Sequence, residues 1–192
     1  MLNLDNFILE KLKINSKSKI NQGEYKLGDI INYKDIYKGK TYEAICCIPS
    51  GYLEDRKPRF ILKGQYFFKK FDENEFDLGS GDESDINGIE NTNNIIINND
   101  KYGDVDTGAD TIRKEYGYKA YIPAIGELIA FAENLEELLE KYNTNPFKKE
   151  LMSSTQYNKS KIYCLQLINK TDYNILHKYK PTASYIIPFI EI

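Results

Sequence analysis

A proline stands between a strand pattern and a helix pattern in Tyr121-Ile122-Pro123-Ala124-Ile125-Gly126-Glu127-Leu128, and no other stretch constrains the chain so tightly. Proline fixes its own φ and disfavours helix in the residue before it, so a strand must end there and a helix must start almost at once. From Leu128 onward Phe131, Ala132, Leu135, Leu138, Leu139 and Tyr142 keep one 3.6-residue stripe, and Glu133, Glu136, Glu137 and Glu140 lie off it. Such a helix packs its stripe against a sheet. Downstream, Met152-Ser153-Ser154-Thr155-Gln156-Tyr157 and residues 161–168 and 184–192 return to strand chemistry, with Pro181 and Pro188 where strand ends or edges tolerate them.

Upstream, residues 25–33, 41–49 and 59–68 are rich in β-branched and aromatic side chains. Lys38-Gly39-Lys40 and Pro49-Ser50-Gly51 break them, so they read as a three-stranded antiparallel meander. Residues 71–110 differ: Gly, Asn, Asp and Ser dominate, with one short apolar run at Ile95-Ile96-Ile97, and the expectation is mostly loop with short helical turns. Residues 110–116 are expected to form a short helix closed by Gly117. The fold class that follows is α+β, with mixed, mostly antiparallel sheets, two helices and long irregular loops. At 192 residues and 41% hydrophobic, the chain supplies one ordinary core.

Residues 1–19 separate from this domain, which is expected to span 20–192. Leu4, Phe7, Ile8 and Leu12 fall on one face of a short helix, and Lys11, Lys13, Lys17 and Lys19 mark a polar tether. A helix that short is marginal alone in water, so its apolar face needs a surface, on its own domain or on a partner. No run is apolar enough to insert into a membrane, and the first residues lack the basic start, apolar core and cleavage site of a signal peptide.

The net charge of −3 conceals an asymmetry. Residues 1–70 carry 14 Lys+Arg against 8 Asp+Glu, residues 71–110 carry 1 against 12, and residues 111–192 carry 11 against 9. The acidic segment repels a phosphate backbone, and the lysines elsewhere form no dense run with interleaved aromatics, which disfavours nucleic acid as a partner. Cys46, Cys47 and Cys164 cannot all pair within one chain. Adjacent cysteines on a strand point to opposite faces, so free buried thiols are expected; without a CxxC pair, and with His177 the only histidine, a metal role is disfavoured.

Six segments in order then resemble the bacterial and phage branch of the C-type-lectin-like domains, related to the Fibrobacter succinogenes major paralogous domain. They are Gly28-Asp29; Leu78-Gly79-Ser80-Gly81 with Asn91-Thr92 and Ile95-Ile96; residues 109–116; Ile122 to Leu128; Met152 to Tyr157; and Ile186-Ile187-Pro188-Phe189. Departures are a methionine where that family has tryptophan before the serines, an isoleucine where it has arginine before the last proline, and no tryptophan before Tyr121. The resemblance implies a C-type-lectin-like scaffold over residues 24–192.

Within the motifs, Gly126, Glu127, Ser153, Ser154 and Thr155 read as fold residues. The three hydroxyls suit bonds to nearby backbone, and Glu127 in the first helical turn faces the positive end of the helix dipole. A serine nucleophile needs a base, and nothing in the spacing brings His177 to Ser153 or Ser154. Sugar-binding members of the fold hold calcium, but their ligand triplets are absent here. Asp77, Asp82, Glu83 and Asp85 offer hard oxygen ligands without EF-hand spacing, and a solvated acidic loop is the favoured reading over a Ca2+ site. A related branch oxidises cysteine to formylglycine, but Cys46 and Cys47 stand on an expected core strand far from where that branch places its thiols.

These readings converge on a non-catalytic structural or binding module without a cofactor. By analogy it resembles a virion-associated protein of tailed phages of gut Bacteroides-like hosts: a capsid decoration, head-fibre or tail component, oligomeric or within a large assembly. It would dock on other virion proteins through Leu4, Phe7, Ile8 and Leu12, and expose its loops to a host glycan or receptor. The alternative is a surface lectin that binds glycans with or without calcium.

Overall fold

The structure, a computed structural model, describes residues 24–35, 38–62, 67–69, 81–102, 107–139 and 150–192. The expected docking residues Leu4, Phe7, Ile8 and Leu12, and Asp77 of the acidic group, lie outside the described residues. The expected meander forms as β1 (Ile30–Lys34), β2 (Thr41–Ile48) and β3 (Arg59–Leu62), paired antiparallel in order. β5 (Ala120–Tyr121) and β10 (Phe189–Ile190) complete this sheet in the order β1-β2-β3-β10-β5. A second five-stranded sheet has the order β4-β9-β6-β7-β8, from β4 (Phe67–Lys69), β6 (Glu150–Asn158), β7 (Lys161–Leu167), β8 (Tyr173–Tyr179) and β9 (Ser184–Ile186). Its one parallel contact joins β6 to β9 at Leu151 and Tyr185. The molecule is therefore α+β with mostly antiparallel sheets.

Helices cover the sheets: α1 (Gly88–Tyr102), α2 (Gly108–Tyr116), α3 (Ile125–Glu133) and α4 (Leu135–Leu139). Central strands are buried on both faces, so successive residues serve different cores. Ile45, Ile61, Leu165 and Phe189 join the cluster around α3 and α4, and Cys46, Phe60, Cys164 and Ile190 join the one around α1 and α2. Cys46 and Cys47 fall in opposite clusters, as adjacent strand residues must.

Three expectations need correction. The acidic stretch 71–110 is not mostly loop, because α1 runs through 15 residues of it and the count of helices exceeds two. Asn is a poor helix former, so propensity argues against α1. Its buried stripe is Gly88, Thr92, Ile95 and Asn99, at helical spacing but half polar, and only tertiary partners make it stable. The single long helix from Leu128 is in fact α3 and α4, separated at Asn134, whose side chain turns back to donate to the Ala130 carbonyl at 2.7 Å. β8 was not expected; its alternating partial exposure suits an edge strand and leaves no continuous apolar run.

Candidate functional site

The two segments that dominate the sequence are bonded to each other. Ser154 N–H donates to the Pro123 carbonyl at 2.8 Å, and Ile125 N–H donates to Thr155 Oγ1 at 2.9 Å. The Thr155 hydroxyl in turn donates to Asp85 Oδ2 at 2.7 Å, while the Asp85 carbonyl accepts from Gly126 N–H at 2.9 Å. Gly81 N–H closes the joint by donating to the Gln156 carbonyl at 3.0 Å. Two of the N–H groups that every helix start leaves without helical partners are thus satisfied by β6 and by the 81–85 loop.

The joint dictates glycine where backbones meet. A Cβ on Gly126 would lie 2.7 Å from the Asp85 carbonyl oxygen, and one on Gly88 would lie 2.7 Å from Ala124 N, both closer than a carbon can sit. Thr92 ties α1 to the same place by accepting from Ile122 N–H at 2.9 Å and donating to the Gly88 carbonyl at 2.8 Å. Asn91 Nδ2 donates to Asp85 Oδ2 at 2.8 Å. Asn91, Thr92, Gly126 and Thr155 therefore belong to one internal joint, although they stand far apart in sequence.

Ser153 does what its hydroxyl was expected to do: it donates to the Tyr163 carbonyl at 2.9 Å and accepts from Thr155 N–H at 3.2 Å. These bonds patch β6 where its register against β7 shifts between Met152 and Gln156. Ser154 departs from expectation. Its backbone N–H makes the long-range bond, and its buried hydroxyl has no hydrogen-bond partner among the described residues.

Glu127, only 1% exposed, is the electrostatic centre. One carboxylate oxygen accepts from the Arg59 guanidinium and from the Tyr121 hydroxyl at 3.0 Å, and the other accepts from Ala124 N–H at 2.9 Å. Arg59 also donates to Asp55 Oδ2 at 2.7 Å and to the Lys57 carbonyl at 3.0 Å. Burial pushes the Glu127 carboxyl up to about 6, against the pull of Arg59 and the hydrogen bonds. The helix-dipole position read from the sequence accounts for the bond to Ala124 and misses Arg59. An arginine heading the apolar run Phe60-Ile61-Leu62 is the sequence signal that could have found it.

The remaining acidic candidates separate. Asp85 turns into the joint, whereas Asp82 and Glu83 are exposed. Asp82 Oδ1 accepts from the Ser84 hydroxyl at 2.5 Å and from Ser84 N–H at 2.9 Å in a local turn, and these bonds, the hydroxyl's first, hold its carboxyl below the ordinary value. Among the described residues no three His, Cys, Asp or Glu side chains come together as a metal-ligand set. Burial pushes the thiols of Cys46 and Cys164 up to about 12 and that of Cys47 well above its ordinary value, so all three are held as protonated thiols. His177 lies on β8, stacked on Tyr157, and is not paired with either serine.

No family model matches this chain, and no curated protein matches it. Among solved structures, the fold is similar to that of a fimbrial protein from Bacteroides ovatus, with a TM-score of 0.59 at 12% identity. The similarity covers 88% of this chain and 49% of that one, so the chain spans about half the length of the fimbrial protein.

Proposed function

We propose that this chain is a non-catalytic binding module with a C-type-lectin-like scaffold, displayed on an extracellular assembly of the fimbrial kind. The observation that carries this reading is the internal joint. Asp85 and the motif residues Glu127, Ser153 and Thr155 direct their side chains to one another, to Arg59 and Tyr121, or to backbone, where they hold helices and sheets together. Groups so committed serve a scaffold, and partner contact then falls to exposed side chains that take no part in the joint. Similarity to a fimbrial protein supports a place in an adhesive or filamentous assembly.

The amphipathic spacing of Leu4, Phe7, Ile8 and Leu12 favours a second reading, a virion-associated protein docked on a phage particle by residues 1–19. Mass spectrometry with copy number, on surface filaments sheared from producing cells and on purified phage particles, decides between the two. Stoichiometric recovery in filaments is the expected result. Recovery in virions moves the assignment to the second reading, and recovery in the cytosol alone overturns both.

A further inference from the structure

The last strand of a sheet offers unpaired N–H and C=O groups to any other strand, and folds guard such edges with short strands, charges, proline or bulges. In this molecule β4 and β5 span only three and two residues. β1 carries Lys34 and is flanked by Asp29 and Asp35. β8 is the exception. It runs for seven residues, Tyr173–Tyr179, without a proline, and its ladder against β7 is broken by no bulge. Its lysine, Lys178, is bonded to Glu150 of β6. Among the described residues no strand pairs with its outer side.

Two bonds fix which groups point outward. Lys180 N–H donates to the Ser160 carbonyl at 3.0 Å, and Ile168 N–H donates to the Asp172 carbonyl at 2.9 Å, at the two ends of the β7–β8 ladder. In an antiparallel ladder the hydrogen-bonded pairs recur at every second residue. Asn174, Leu176 and Lys178 therefore bond to β7, and Tyr173, Ile175, His177 and Tyr179 direct their N–H and C=O groups away from it. Pro181, which has no N–H, ends this outward row beyond Tyr179.

We propose that β8 pairs antiparallel with β8 of a second copy of this chain, across a two-fold axis at Leu176, so that the two sheets become one. The strand is self-complementary in that register. Tyr173 faces Tyr179 of the other copy and Ile175 faces His177, and each of these pairs joins outward groups that can exchange both N–H···O bonds. Between them Leu176 faces Leu176, and Asn174 faces Lys178. No like charges stand opposite each other, and Tyr179, 58% exposed in the single chain, gains an aromatic neighbour. Sliding the strands by two residues toward the C-terminus sets Tyr173 opposite Pro181 and loses a bond, and sliding them the other way leaves Tyr179 outside the strand pairing. A foreign strand has no reason to match a row that reads correctly against itself, which is what a two-fold contact between identical surfaces demands. Such a contact closes at two copies, so the product is a dimer and not a fibre. The inference does not depend on where the chain is displayed.

The test is sedimentation equilibrium of the full chain up to about 1 mM, with two variants at one exposed position. A concentration-dependent monomer–dimer equilibrium is expected. Asn174→Lys sets a like charge opposite Lys178 of the other copy, at both symmetric places, and should raise the dimer Kd about threefold or more. Asn174→Glu sets an opposite charge there and should lower the Kd by about a similar factor, and added salt should shrink both effects. Far-ultraviolet dichroism of each variant matching the parent shows that the fold is unchanged. The pairing is overturned if the parent chain stays monomeric over the whole range. It is equally overturned if a dimer forms with the same Kd in all three chains, which would put the contact on another surface.

Discussion

Glu127 shows why a single buried carboxylate is hard to replace. Truncation to alanine would leave Arg59 buried beside Asp55 alone and would strip the Tyr121 hydroxyl and Ala124 N–H of their acceptor. Breaking a buried ion pair from one side costs about 3–5 kcal/mol, so Glu127→Ala should lower the denaturant midpoint by that equivalent, measured by circular dichroism. The pH dependence has a definite sign. With its folded value raised from 4.5 to about 6, this carboxyl contributes stability that is fully present below about pH 4.5 and lost as the pH rises through about 6. The stability difference between the parent and Glu127→Gln should therefore shrink across that window, and a difference that grows with pH would mean that Arg59, not burial, controls the titration. The thiols give a simpler test. Cys46, Cys47 and Cys164 are each 0% exposed, so the native chain should leave a thiol reagent unreacted on a timescale of minutes, and all three should react in denaturant.

At the scale of elements, α3 is held at its start by partners that come from elsewhere in the chain. Thr155→Val keeps the shape of the side chain and removes the acceptor for Ile125 N–H and the donor to Asp85, at a cost of about 1–3 kcal/mol. Gly126→Ala forces a methyl against the Asp85 carbonyl, and the loop must move; a loss of about 1–3 kcal/mol is expected from thermal melts, with hydrogen exchange quickening in the 81–85 loop. The strand–proline–helix turn and the meander were legible because their signals are local, proline and β-branched composition, whereas Met152 to Tyr157 read as a strand through the family resemblance. α1 was not, because Thr92 and Asn99 occupy half of its buried stripe and look like loop residues until Ile122 and Asp110 supply their bonds. β8 escaped notice because an edge strand with Asn174, His177 and Lys178 on it carries no apolar run.

Among the described residues the two sheets are tied by the joint as well as by the apolar cores they share. The joint links α1, the 81–85 loop, α3 and β6, and so crosses from one sheet to the other; the described parts should unfold in a single transition. Coincident melting by far-ultraviolet dichroism and tyrosine fluorescence is the expected outcome, and two separated transitions would show that the sheets stand independently. By itself the sequence determined what is local or summed: an α+β alternation, buried thiols, a concentrated negative charge, and the motif residues that mark the turn from strand to helix. Tertiary structure alone decided what those residues do, because a hydroxyl or carboxylate becomes a structural bond only when a partner far along the chain arrives opposite it. Thr155 meets Ile125 and Asp85, Glu127 meets Arg59, and Tyr157 of β6 stacks on His177 of β8 across β7, whose Tyr163 lies opposite His177. None of these distances is written in spacing along the chain, since each depends on how two sheets and their helices close around shared cores.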